Sequence, residues 1–599
     1  MEQDFLYNRA FVLHPNGIVP TQRLPTTTLS HSNLLMRFPT APAFFVSLVM
    51  SSLGSPANSV AQDKRPRPIP GLPTEVATDS VARKQETAIN ERTASWGYWG
   101  TRPSSYSSWT NHSNRLIPVY VFGGSFAEYM NEGSVYRDAA KLEKLYGRMP
   151  TNTLRADAPY ADQTDVYRLQ RKAIEQQGKK YVFLVVFDGM DWQSTQAAAV
   201  YKTGRVAYTE GKGTGLIFQD YDRCPSDYGF IVTSPYGDEV ETDVDAQQNT
   251  NPVNKFGGFD SRFAGSAPWQ TETDIDYPIG RSKISPHAYT DSSSSATSLT
   301  AGIKTINGAV NLDNNLKPVE TIAQWVQREK GFAVGAITSV PISHATPAAA
   351  YSANVSRDDY QDLTRDMLGL PSVARKTNPS PGLDVVLGCG YGETTESSKG
   401  QGENFIPGNR YLTDEDRMKV DVNTVNTVNT AGGAGKYIVA QRTSGLSGAK
   451  VLADAAKSAA QNKKRLLGFF GAKTGHLPFQ TANGDFKPVV DMKENPEVYT
   501  KADIDENPTL AEMTEAAIEV LQVDEQGFWL MVEAGDVDWA NHANNIDSSI
   551  GAVFSGEAAV EKIFRWIEGR NAWNDSLVVI TSDHGHYFHL LEPTALIAE

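Results

Sequence analysis

Six short apolar runs rich in β-branched and aromatic residues, at 116–122, 181–187, 333–340, 466–470, 527–532 and 577–581, are separated by stretches of helical periodicity. Alternation of this kind predicts a largely parallel sheet covered by helices, an α/β sandwich, because parallel strands need long helical crossovers and are buried on both faces. No solenoid-type repeat competes with that reading. In open parallel sheets chemistry gathers at the carboxyl ends of the strands. The residues that follow each run therefore carry the functional argument.

Those residues are rich in oxygen and imidazole. The run 181–187 ends in Asp188-Gly189-Met190-Asp191, where the glycine permits a tight turn. A lone strand-end Asp is more often a helix cap. The run 577–581 leads into Ser582-Asp583-His584-Gly585-His586, which capping does not explain. After 527–532 come Glu533, Asp538 and His542, and the last two share one helical face at i, i+4 spacing. Mixed nitrogen and oxygen ligands suit zinc, whereas an all-oxygen set suits magnesium. The nucleophile candidate lies in Tyr289-Thr290-Asp291-Ser292-Ser293-Ser294-Ser295-Ala296-Thr297, which runs into a helix-compatible stretch. A serine at a helix N-terminus faces backbone N–H groups that favour an anion, and a metal can ionise its hydroxyl without a histidine base. No Gly-x-Ser-x-Gly elbow surrounds Ser292, which disfavours a hydrolase triad.

A net charge of −15 over 599 residues excludes nucleic acid as the main partner, since a polyanion needs a basic face. Phosphate remains open to an acidic protein when metals supply local positive charge. Two cysteines, Cys224 and Cys389, provide neither a disulfide framework nor a cysteine-rich zinc module, and their pairing is not readable. Met36-Arg37, the apolar run 43–50 and Ser59-Val60-Ala61 read as a signal peptide over 36–61. The apolar run is short of the ~20 residues of a spanning helix. Residues 1–35 are then a mis-called leader and Met36 the true start. From 62 to 108 the chain reads as a linker with Pro66, Pro68, Pro70 and Pro73, becoming ordered near Trp96.

The ordered set Asp188-Gly189-Met190, Asp291-Ser292-x-x-Ser295-Ala296-Thr297, His344-Ala345-Thr346-Pro347-Ala348-Ala349, Met531-Val532-Glu533 with Asp538 and His542, and Thr581-Ser582-Asp583-His584 resembles the alkaline phosphatase family. The resemblance implies an alkaline-phosphatase-like sandwich over 109–599, interrupted by an insertion at 204–287. It implies two Zn2+ and one Mg2+. Ser292 corresponds to the phosphorylated nucleophile and Arg357, eleven residues after Thr346, to the arginine that clamps phosphate. Asp188, Asp583 and His584 correspond to the ligands of one zinc. Asp188, Thr346 and Glu533 correspond to the magnesium ligands. His344, Asp291 and His586 stand behind these as supporting residues. The other zinc takes Asp538, His542 and a further histidine that the family draws from near its C-terminus.

That last segment lies upstream here. His112-Ser113-Asn114, with the strand that ends at Phe122-Gly123-Gly124, resembles the family's terminal His-Thr-Gly motif and closing strand, with Asn114 in place of the glycine. The order implies a circular permutation with His112 as third ligand. A truncated gene, or substitution by His586 or His589, are the alternatives. The resemblance further implies a phosphomonoester hydrolase acting through phosphoserine, exported to the periplasm or beyond, with no membrane span in the mature chain and compatible with a homodimer. Phosphodiester hydrolysis is the nearest rival, and a silent phosphate-binding protein the rival from another class. No Cys-x-Pro-x-Arg motif supports a sulfatase. The insertion reads equally as a cap over the site or a structural loop, and His476 as a structural residue.

Overall fold

Side chains along the strand Tyr181–Phe187 divide by parity. Phe183, Val185 and Phe187 join one buried apolar layer, while Val182, Leu184 and Val186 join the other. A strand buried on both faces belongs inside a sheet with helices on each side. The computed structural model has that arrangement and describes residues 79–423, 435–472, 474–489, 491–492 and 497–597, all within the compact unit 65–599. The segments read as leader and signal peptide, and the proline cluster, lie outside the described residues.

Ten strands form the central sheet: β1 (Ile117–Phe122), β2 (Ala161–Asp162), β3 (Tyr181–Phe187), β4 (Ser226–Val232), β5 (Ala333–Pro341), β6 (Val385–Cys389), β7 (Tyr437–Gln441), β8 (Arg465–Phe469), β9 (Phe528–Ala534) and β10 (Ser576–Thr581). Their spatial order is β7-β8-β6-β5-β9-β3-β10-β1-β4-β2. β1 is antiparallel to both neighbours, and the other nine strands run one way. All six apolar runs are strands of this sheet. Sequence patterning overlooked β2, β4, β6 and β7, which are short or half-exposed.

The helices that bear on the site are α1 (Ser80–Glu91), α2 (Thr164–Gln177), α3 (Ser292–Ala301), α4 (Gly448–Gln461), α5 (Leu510–Leu521), α6 (Asp536–His542) and α7 (Ile546–Gly569). Leu452 and Ala456 of α4, Met513 and Leu521 of α5, and Val553 and Phe554 of α7 cover one face. Leu169 and Ala173 of α2 cover the other. α1 begins well before Trp96, where the sequence suggested that order starts. Its buried positions Val81, Ala82, Gln85, Ala88 and Ile89 follow helical spacing, and the Asp79 side chain caps it by accepting from Ala82 N at 3.2 Å.

The polarity of β1 places the site. Because it runs against the other strands, its N-terminal end lies at their carboxyl edge, with Val119 opposite Thr581. The residues just before β1 therefore meet the loop just after β10, and Ser113 N donates to Gly585 O at 2.7 Å. β4 extends the sheet beside β1. Both cysteines are free. Among the described residues no helix is long and apolar enough to cross a membrane.

His287 is buried and stacked on Tyr277 at 4.0 Å, its pKa lowered to about 4 chiefly by burial. The neutral form is thus favoured on folding, so its contribution is intact above the unfolded value near 6.5 and is lost as pH falls from there to about 4. Relative to a His287→Phe variant, the native chain should lose on the order of 3 kcal/mol across that window, read from urea midpoints at pH 7 and pH 4.

Candidate metal centre

At the head of α3, Asp291 is the N-cap, accepting from Ser294 N at 2.9 Å. The neighbouring hydroxyls are committed locally: Ser293 Oγ donates to Asp291 Oδ2 at 2.8 Å, Ser294 Oγ to Asn307 Oδ1 at 2.8 Å and Ser295 Oγ to Asp291 O at 2.7 Å. Ser292 differs. Its Oγ is buried and lies 3.1 Å from His584 Nε2.

Strand ends supply two convergent groups, Asp188, Asp583 and His584 in one, and His112, Asp538, His542 and His586 in the other, each with ligand atoms within 4.8 Å of one another. In the first, His584 Nε2 stands 3.2 Å from Asp188 Oδ1 and 3.4 Å from Asp583 Oδ2. The turn after β3 makes this possible. Gly189 adopts φ +70 and its N–H donates to Asp583 Oδ1 at 3.0 Å. In the second, His112 Nε2 is 3.1 Å from His542 Nε2, and these two atoms lie 3.6 and 3.5 Å from Asp538 Oδ1. His586 Nε2 reaches that same oxygen at 2.6 Å.

Backbone carbonyls orient the imidazoles. His112 Nδ1 faces Thr290 O at 3.3 Å and His542 Nδ1 faces Thr110 O at 2.6 Å, which assigns a proton to each Nδ1 and turns both Nε2 atoms inward. Asn114 also acquires a reason. Its Nδ2 donates to Ala288 O at 2.9 Å and its Oδ1 accepts from Thr290 N at 3.0 Å, tying the His112 segment to the approach to Ser292.

A third constellation adjoins the first. Thr346 Oγ1 donates to Asp188 Oδ2 at 3.3 Å, and Glu533 is held by Thr338 Oγ1. Burial pushes Glu533 up to about 8. Burial, reinforced by Asp583 and Asp538, pushes Asp188 well above the usual carboxylate range. Burial acts the same way on Asp538, but His542, His112 and His586 outweigh it and hold that carboxyl well below its ordinary value. Across the site Arg357 Nη1 donates to Asp291 Oδ2 at 3.1 Å, and its Nη2 lies 3.5 Å from His344 Nε2. Burial alone would raise the Asp291 pKa, yet the Arg357 guanidinium holds it below the usual value. Burial, then Arg357, lowers His344 to about 3.

The donor set fits cations. Asp188 Oδ1 and Glu533 Oε1 are buried without hydrogen-bond partners, each facing its constellation from a fully enclosed side chain. Orphaned buried carboxylate oxygens of this kind are costly unless a cation satisfies them. Every site residue read from the sequence lies in this region. His589, the alternative ligand, does not; its ring stacks on Tyr98 at 4.5 Å and Arg115 Nη2 meets it at 3.0 Å. The sequence missed several supports. Asp191 Oδ2 accepts from His586 N at 2.9 Å and Phe588 N at 3.2 Å, fixing the loop that carries both histidines. Gln163 Nε2 donates to Asp583 O at 2.7 Å, and Trp539 lies edge-on to His344 at 5.8 Å. Only Asp191 carried a signal, its place in the strand-end motif.

Fold and centre together define an α/β protein with a serine-headed cluster of candidate cation ligands at the carboxyl edge of its sheet. The profile of the alkaline phosphatase family matches residues 270–595, more than half of the 599 residues, and the chain belongs to that family. Ser292, Arg357, Glu533, Asp538, His542, Asp583 and His584 fall inside the matched stretch; His112 and Asp188 fall before it. The alkaline phosphatase of Escherichia fergusonii is 31% identical over 326 residues, covering 53% of this chain and 62% of the relative. That of Escherichia coli K12 is 30% identical over 328 residues with the same coverage. The chain thus spans less than two thirds of the length of these curated relatives. A solved cold-active alkaline phosphatase from Shewanella sp. aligns at 20% identity and a TM-score of 0.38, covering 68% of each chain.

Gly585 is the tightest point of the centre, since an added Cβ would lie 2.1 Å from Asp191 Oδ1 and 2.8 Å from its Cγ. Gly585→Ala should displace His584 and His586 together. The expected result is a protein with native far-UV circular dichroism that retains less than half the divalent metal of the native chain after dialysis, measured by atomic emission.

Proposed function

We propose that this protein is a metal-dependent phosphomonoester hydrolase working through a phosphoserine. One observation carries the reading: the buried Ser292 hydroxyl heads a helix between the Arg357–Asp291 pair and His584, 3.1 Å away. Asp188, Asp583 and His584 are the residues to hold one zinc, and Asp538, His542 and His112 the other, with His586 steadying Asp538. Asp188, Thr346 and Glu533 are the residues for magnesium. When bound, the three cations stabilise the serine alkoxide, the leaving-group oxygen and the charge on the transferring phosphoryl group.

The chain's own groups do the rest. Helix α3 presents the N–H groups of its first turn to an anion, and Arg357 offers a planar pair of donors to two phosphate oxygens. Asp291 keeps that guanidinium aimed, and His344, neutral, leaves its charge undiluted. Ser292 Oγ, its proton released to solvent, forms a bond to phosphorus as the bond to the leaving alkoxide breaks on the opposite side, and the alkoxide takes up a proton from solvent. Water, giving up a proton, then displaces Ser292 from phosphorus, Ser292 Oγ is reprotonated, and two inversions give net retention. Arg357 favours monoesters over diesters because it balances the second negative charge of a dianion.

The segment carrying His112 and β1 supplies, from upstream, what the family draws from its closing segment. This reading rests on the antiparallel run of β1 and the 3.1 Å approach of His112 to His542. Export to the periplasm or beyond under a signal at 36–61, a catalytic domain over 109–599 and a homodimeric assembly complete the proposal.

Hydrolysis of p-nitrophenyl phosphate should disappear on chelation and return with zinc and magnesium together. Ser292→Ala should lower kcat by ~10²-fold or more, and a variant with unchanged turnover would remove the centre of the proposal. His112→Ala should retain a serine that can be phosphorylated but need a higher zinc concentration for half-maximal turnover, read from a zinc titration.

A further inference from the structure

The loop that carries His584 and His586 turns directly afterwards at Tyr587, whose backbone takes φ +61, a left-handed conformation that a bulky aromatic residue rarely adopts. Such a conformation persists only where its surroundings over-determine it. The turn brings the N–H groups of His586 and Phe588 onto one oxygen, Asp191 Oδ2, at 2.9 and 3.2 Å. Tyr587 Oη donates to Ile275 O at 2.8 Å, and Tyr587 O accepts from Gly100 N at 3.0 Å. Asp191 thus holds the N–H side of the loop. The opposite side is held by Arg115.

The Arg115 guanidinium meets three successive residues there. Its Cζ lies 4.5 Å from the Tyr587 ring centroid, its Nη1 donates to Phe588 O, and its Nη2 lies 3.0 Å from His589 Nδ1. Burial, then Arg115, holds the His589 pKa well below its ordinary value, so the ring is neutral and able to accept. The last edge of the fork is also taken, since Nε donates to Glu272 Oε1 at 2.6 Å. The two side chains of this pair are 5% and 2% exposed. Burial opposes the charge on Arg115, but Glu272 and Asp191 outweigh it. A planar fork makes these contacts in separate directions at once, which the point charge of a lysine does not.

We propose that Arg115 is a positioning residue for the group formed by His112, Asp538, His542 and His586, an inference that rests on the two-zinc reading above. Arg115 lies three residues after His112, on the segment whose Ser113 N donates to Gly585 O at 2.7 Å. Its grip on Tyr587 and Phe588 is a second tie between the same two segments, on the far side of His586 from the first. His586 Nε2 reaches Asp538 Oδ1 at 2.6 Å, and the His112 and His586 rings stand edge to face at 5.2 Å. Fixing the spacing of the two segments therefore sets both imidazoles around one carboxylate. Arg115 acts through the backbone of residues 586–588, as the outer partners of metal ligands do.

The test uses the full chain loaded with zinc, from which a chelating dye of known affinity withdraws the metal. Arg115→Met/Glu272→Met removes both charges, so that neither is left buried and unpaired. Arg115→Lys keeps a cation beside Glu272 but loses the fork. As a control, Lys202→Met/Glu557→Met deletes another buried pair, which joins the helix Trp192–Thr203 to α7 at 2.8 Å, and reports what loss of packing does by itself. In both Arg115 variants one zinc should be held more weakly, by ~10-fold or more in the double variant, while the other keeps its native affinity. Half-maximal hydrolysis of p-nitrophenyl phosphate should need correspondingly more zinc. The control should keep the native zinc isotherm whatever its thermal midpoint. A native isotherm in either Arg115 variant, or an equal loss in the control, would overturn the inference and leave the two-zinc reading standing. A native chain that hydrolyses the ester without binding zinc would remove that reading and the inference with it.

Discussion

Repulsion among buried carboxylates is the constraint around which the rest of this protein is arranged. Asp188, Asp538, Asp583 and Glu533 are all fully or almost fully enclosed within one strand-end layer. Hydrogen bonds satisfy some of their oxygens, but Asp188 Oδ1, 3.2 Å from His584 Nε2, and Glu533 Oε1 have no hydrogen-bond partner. Histidines hold Asp538 charged, whereas burial pushes Asp188 and Glu533 toward their neutral forms, reinforced for Asp188 by Asp583 and Asp538 and for Glu533 by Asp583. A layer with that charge distribution is poorly stable as a purely protein object and well suited to cations. Its Oδ and Nε2 atoms are spaced for ions and too close for mutual comfort, with His112 and His542 presenting Nε2 atoms 3.1 Å apart.

What lets the fold tolerate this layer is the rigidity beneath it. β3, β9 and β10 lie side by side at the centre of the sheet, in register, so that Asp188 and Asp583 emerge at one level and Glu533, opposite Val186, sits two residues below them. Each strand is locked on both faces by apolar side chains, so a strand tip cannot retreat from its neighbour without opening the core. The loops above are pinned from behind as well. Asp191 holds the backbone of His586 and Phe588, Gln163 holds Asp583, and Asn114 ties the His112 segment to the approach to Ser292. Packing energy from the sandwich is thereby used to keep like charges near one another.

Much of this was legible in the sequence because strand-end chemistry leaves a one-dimensional trace. Buried strands read as continuous apolar runs, so six of the ten were visible, and the acid and imidazole groups lie within a few residues of their ends. β2, β4 and β7 were not visible, since two residues or a half-exposed face carries too little pattern, and in β6 Gly388 breaks the apolar run after three residues. α1 escaped because a proline-rich approach outweighed its helical spacing. Supports such as Gln163 and Trp539 escaped for a different reason. Their partners lie 420 and 195 residues away along the chain, and an amide or an indole carries no local signature of that pairing.

The placement of His112 shows why chain order is a weak constraint on such a centre. A cation senses only the positions of donor atoms, and these are fixed by strand polarity and loop anchoring. β1 runs against its neighbours, so the residues before its start, and not those after its end, lie at the carboxyl edge of the sheet. A histidine preceding an antiparallel strand is thus equivalent in space to one following a parallel strand. Any connection that inserts β1 beside β10 with this polarity brings its leading segment against Gly585, whichever end of the chain supplies it. The polarity of one strand thereby decides which flank of a segment can join the centre, and sequence order decides only the loops that bring it there.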